Sequence, residues 1–100
     1  MQWYTKETKE LFKAILSLKT QDQAKRFFRD LLTEAEIDEF SRRWNVARLL
    51  DEGVTYVEIE KRTGMSSTTI ARIAKWLNKG MGGYRHALHH VQTSRGRGVR

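Results

Sequence analysis

Thr68, Arg72, Lys75 and Lys79 recur at helical spacing within the run SSTTIARIAKWLNK, and together they offer hydroxyls and cations to an acceptor-rich partner. Arginine presents a planar fork that fits the two acceptors on a guanine edge, whereas lysine pairs with phosphate as a point charge. Ser66, Ser67, Thr68 and Thr69 are small and stand at the start of the same run. There the backbone can come close to a duplex and the helix dipole favours an anion. At about 100° per residue Ile70, Ile73, Ala74 and Leu77 fall on the opposite stripe, so one face packs and the other is left for contact.

The residues just before this run set its position. Thr55-Tyr56-Val57-Glu58 reads as a capping box, in which threonine and glutamate satisfy each other's backbone amides. It opens a short helix to which Val57 and Ile59 contribute apolar contacts. Gly64 ends that helix by tolerating a left-handed backbone, Met65 plugs the turn, and Ser66 or Ser67 caps the helix that follows. Residues 55–78 therefore have the layout of a DNA-reading helix-turn-helix. On this reading Ser66, Ser67, Thr68, Thr69, Arg72 and Lys75 approach the major groove, while Lys79 and Arg62 contact phosphates. Glu60 departs from the pattern, because the position four residues before the turn glycine usually packs a small side chain. The plainer alternative is a helical hairpin with a solvated basic face.

Charge is distributed to match. Residues 1–32 hold seven Lys/Arg against four Asp/Glu, residues 33–64 five against eight, and residues 65–100 seven against none, for a net +7. The acid-free stretch begins where the second helix of the motif begins, which suits a polyanionic partner. The chain has 100 residues, no cysteine and no proline. It is expected to form one helical domain over 1–92, with neither disulfide nor thiolate metal site. No apolar run is long enough for a membrane span and the start lacks a signal-peptide pattern, so a cytoplasmic protein is expected.

Further caps place the other helices, about six in an all-α fold. One helix covers roughly 4–18. Thr20-Gln21-Asp22-Gln23 is a capping box for another to about residue 32. Thr33-Glu34-Ala35-Glu36 is a box for a long helix to about residue 52, closed by Gly53. A glycine loop at 80–83 precedes a short helix over roughly 84–91, and residues 93–100, with Arg95, Arg97 and Arg100, read as a flexible basic tail. The apolar stripes are wide. Leu11, Phe12, Ala14, Ile15, Leu16 and Leu18 spread over half the first helix, and Phe40, Trp44, Val46, Ala47, Leu49 and Leu50 point nearly all round the long one. A helix apolar on several faces is buried on several faces. A small chain covers such faces most readily with a second copy, so a homodimer is expected, the competing arrangement being one chain wrapped around its own long helix.

The stretches LLTEAEIDEFSRRWNVARLLDEG and TYVEIEKRTGMSSTTIARIAKWL, preceded by ILSLKTQDQAKRFFRDLL, resemble the tryptophan-repressor superfamily, and in particular its YerC/YecD-type branch. The resemblance covers roughly residues 10–91. It implies an interlocked all-helical homodimer that represses transcription by occupying a palindromic operator. It also implies an effector pocket built from Thr33, Arg43 and Arg72, with the ligand indole held between the two arginines. Trp76 stands where the family has a serine that helps to hold the ligand. No tryptophan corepressor is therefore expected. The Trp76 indole itself either fills the ligand's place, stacked on Arg72 or Arg43, or is an aromatic at the edge of the core.

His86, His89 and His90 share one helix face at i, i+3 and i+4, spacing that can hold a metal, but no cysteine or acid follows to complete a site, and a solvated cluster is expected. The acidic residues of the middle segment lie at helix starts and exposed faces, and no nucleophile–base pair or phosphate loop is present, so no enzyme is expected. Two other binding roles remain open: an RNA-binding adaptor using the same basic face, and a protein-interaction module using the wide apolar stripes.

Overall fold

The structure, a computed structural model, describes the backbone of residues 2–99 and the side chains of residues 2–91. It contains six helices: α1 Lys6–Leu16, α2 Gln21–Leu31, α3 Glu34–Asp51, α4 Tyr56–Thr63, α5 Ser67–Lys79 and α6 Gly83–Val99. No strand occurs among the described residues. No helix among them is long and apolar enough to cross a membrane. Contacts cluster into two compact units, Met1–Asp38 and Glu39–Arg100, divided within α3.

In the first unit each helix begins at a threonine whose hydroxyl accepts an amide of the first turn. Thr5 accepts from Thr8, Thr20 from Gln23 at 3.1 Å, and Thr33 from Glu36 at 3.1 Å. The box at Thr33 is complete, since the Thr33 amide donates to Glu36 Oε1 at 2.9 Å. The box at Thr20 differs from expectation. The Gln23 carbonyl reaches one residue further back and accepts from the Lys19 amide at 2.7 Å. Neither α1 nor α2 buries a single residue, and Leu16 is 82% exposed. The rings of Trp3, Tyr4 and Phe12 cluster with centroids 5.3–6.5 Å apart yet all three remain exposed.

The second unit has the core. Val46, Ala47 and Leu49 of α3, Ile59 of α4, Met65 at the turn, and Ile70 and Ile73 of α5 pack together, with Leu50, Val54 and Tyr84 alongside. The end of α3 is a Schellman motif. Gly53 takes φ 84°, its amide donates to Leu50 O at 3.0 Å, and the Val54 amide donates to Leu49 O at 3.0 Å. α4 ends more simply, with Gly64 at φ 72° and its amide on Glu60 O at 2.9 Å.

A Cβ at Gly64 would meet no atom within 4 Å, so the backbone conformation alone demands glycine there. Gly64→Ala is expected to destabilise the protein by about 1–2 kcal/mol, the cost of a left-handed L-residue, and Gly64→Asn by less. Urea denaturation of the two variants measures the difference.

Three expectations need correction here. Val57 is 62% exposed and supplies no core contact; Ile59 alone turns inward from that part of α4. The box at Thr55 is half formed. The Thr55 hydroxyl accepts from the Glu58 amide at 3.2 Å, but the Glu58 carboxylate accepts from Arg62 Nε at 3.0 Å instead. The bond to Arg62 carries charge on both partners, whereas the Thr55 amide would supply charge on one side only. The last helix is α6, which runs from Gly83 to Val99 rather than over 84–91. No proline interrupts its ladder, and without one the backbone bonds continue through the glycines. The side chains of Arg95, Arg97 and Arg100, in the expected basic tail, lie outside the described residues.

Candidate nucleic-acid interface

α4, the turn and α5 place the basic residues. Ser66, not Ser67, is the N-cap of α5. Its Oγ accepts from the Thr69 amide at 3.2 Å and lies 3.1 Å from Thr69 Oγ1. Two of the four small hydroxyls are thus engaged with each other, while Ser67 and Thr68 stay exposed with no side-chain hydrogen bond among the described residues. The inward stripe is as the periodicity predicts: Ile70, Ile73, Ala74 and Leu77 are all buried.

On the outward side Thr68, Arg72, Lys75 and Lys79 are exposed and follow one another at intervals of three or four residues along α5. At 1.5 Å per residue the row is about 16 Å long. Among the described residues none of these three cations has an ion pair, a hydrogen bond or a ring contact. Arg62 differs, because Glu58 on the same helix already neutralises it. Ala71 is exposed between Thr68 and Arg72 and adds a methyl to the face, a residue the charge pattern overlooks. Glu60 is half-buried, so the close-packing position in α4 accommodates a long side chain.

Of the four residues of the expected effector pocket, Thr33 and Arg43 have other partners. The Thr33 hydroxyl, in the first unit, caps α3. Arg43 donates to Glu39 Oε2 at 3.2 Å and its guanidinium lies over the Phe40 ring at 5.8 Å. Trp76 is 43% exposed, and neither Arg43 nor Arg72 stacks on it among the described residues. Arg43 finds its acid and its ring on its own helix, at i−4 and i−3. Tyr84 stacks on Trp44 with centroids 6.4 Å apart. Burial pushes its phenol above the usual tyrosine value, and the positive charge of Arg43 pulls it partly back. The rings of His86 and His90 stack at 6.4 Å, and no group of three potential metal ligands occurs among the described residues.

A capped helix, a glycine turn and a second helix with one buried and one cationic face define a helix-turn-helix regulator of the all-helical kind. Within that class the chain belongs to the Trp repressor protein family, whose model matches residues 6–92. It is 47% identical over 89 residues to the uncharacterized protein YerC of Bacillus subtilis (strain 168), spanning 89% of this chain and 86% of that one. Two crystal structures share the fold. One is a TrpR-like protein from Eubacterium eligens, 42% identical, with a TM-score of 0.83 over 88% of this chain and 91% of that one. The other is a candidate Trp repressor from Staphylococcus aureus, 36% identical, with a TM-score of 0.83 over 89% of each chain.

Proposed function

We propose that this DNA-binding regulator is a cytoplasmic, homodimeric transcriptional repressor that reads a palindromic operator through the major groove. The observation that carries the reading is the unpaired cationic row of Arg72, Lys75 and Lys79, which backs directly onto the buried stripe of α5. A cation with no partner among the described residues keeps its full charge for phosphate or a base edge. A rigid helix fixes where that charge is presented. The absence of any acid from residue 65 onward removes local repulsion against a duplex.

Dimerisation is supported by the first unit, where α1 and α2 bury nothing while Phe12, Leu16 and Leu31 on them, and Trp3 and Tyr4 just before α1, are exposed. A second copy would cover such faces and would hold two α5 helices about 34–36 Å apart, one turn of B-form DNA. Selection from a random duplex pool is expected to recover two-fold related half-sites with centres about 10–10.5 base pairs apart. Preferential retention of duplex or single-stranded RNA would contradict the reading. Light scattering that finds a monomer would remove the palindrome from it.

The repressor acts without a tryptophan corepressor. By the family resemblance Trp76 stands in place of a ligand-holding serine, Arg43 is taken by Glu39 and Phe40, and the Thr33 hydroxyl is taken by the α3 cap. Calorimetric titration with L-tryptophan is expected to show no binding below millimolar concentration. Tighter binding would mean that these contacts open for a ligand.

A further inference from the structure

Away from the cationic row, one side-chain network joins three helices. Arg85, in the first turn of α6, donates from Nη1 to Asp51 Oδ1 at 2.8 Å and from Nη2 to Asn78 Oδ1 at 2.8 Å. Asp51 is the last residue of α3 and Asn78 lies in the last turn of α5. The Asn78 amide group in turn donates to Ala74 O at 2.9 Å, which fixes the orientation in which it meets Arg85. The Asp51 side chain is 19% exposed, whereas that of Arg85 is 52% exposed, so the carboxylate is the sheltered end of the fork.

An ion pair half open to water contributes little to stability. Its geometry is another matter. Both bonds leave one planar guanidinium, so moving Asn78 relative to Asp51 breaks at least one of them. The start of α5 is held by the Ser66 cap and by Met65 in the core, and the fork holds its other end. Apolar contact along the buried stripe does not by itself single out one direction, because packing angles for similar contacts differ by about 15–20° from one helix pair to another. α5 has 13 residues, so a tilt of about 10° swings its far end by about 3 Å over its roughly 20 Å length. A bidentate base contact tolerates only about 0.5 Å.

We propose that Arg85 is a positioning residue for duplex recognition. It locks the C-terminal end of α5 against α3 and α6, so that Thr68, Arg72, Lys75 and Lys79 meet the groove at one angle, and it does not itself touch DNA. The proposal rests on the DNA-reading function above.

The test compares the full-length protein with Arg85→Met, Arg85→Lys and Asp51→Asn in two measurements. In hydrogen exchange on the free protein, Arg85→Met is expected to speed exchange in residues 74–79 several-fold while α4 keeps its protection. In titrations against a selected duplex and a random one at several salt concentrations, its preference for the selected duplex is expected to fall about tenfold, a coupling typical of residues sharing one network. The salt slope should not change, because no phosphate contact is lost. Arg85→Lys, which engages one partner at a time, should fall between wild type and Arg85→Met, and it carries the test if the methionine variant fails to fold. Adding Asp51→Asn to Arg85→Met should cost less than the two separate losses combined. Unaltered exchange in residues 74–79 together with unaltered preference would overturn the proposal and leave DNA reading standing. So would a salt slope shallower by about 0.9, the signature of a lost phosphate contact. A wild-type protein that binds no duplex would overturn both readings at once.

Discussion

Ile70→Ala is expected to destabilise the protein by about 2–5 kcal/mol, a large part of the total for a domain of this size. Ile70 is fully buried in a cluster drawn from three other places: Val46, Ala47 and Leu49 on α3, Ile59 on α4, and Met65 in the turn. Truncation removes transfer free energy and leaves a void. These residues cannot close it without moving α5, because the Ser66 cap and the glycine turn fix where that helix begins. In urea the midpoint should fall with little change in slope, the pattern of lost stability without altered compactness. DNA affinity measured well below the transition should suffer less than stability does. A midpoint that does not move would mean that α5 is not held by this cluster, and the argument from buried stripe to presented cations would lose its anchor.

How far each feature was legible in the sequence depended on how local its cause is. The caps at Thr33, Thr55 and Ser66 and the left-handed glycines at 53 and 64 are decided within a few residues, and the structure has them. The α5 stripe is also local, since four apolar residues agree on one azimuth over about two turns. Val57 was misplaced for a geometric reason. Val57 and Ile59 lie about 200° apart around a helix, so they cannot both face one core, and α4 has only eight residues in which to reveal which does. Competition was equally hard to see. Glu58 could serve the Thr55 amide or Arg62, and Ser66 could serve a ligand or Thr69. The Arg85–Asp51 bond spans 34 positions and left no local trace at all. The same contrast applies to the interface: the azimuth of its cations was readable, whereas which of its hydroxyls remain available was not.

Arg72→Ala is expected to weaken binding to a selected duplex by about 1–3 kcal/mol, which is the loss of a bidentate guanine contact. The side chain is exposed and has no partner among the described residues, so its removal should leave stability within about 0.5 kcal/mol of wild type. That separation between affinity and stability is what makes the position informative. A random duplex should lose much less affinity, because a base-edge contact has nothing to match there. Equal losses on both duplexes would make Arg72 a phosphate clamp, and the salt slope would then become shallower by about 0.9. Arg72→Lys retains the charge but not the planar fork, so it should recover binding to random duplex while remaining poor on the selected one. Arg62→Ala provides the comparison on α4: Glu58 already neutralises that guanidinium at 3.0 Å, so less of its charge is available to a phosphate and the loss should be smaller.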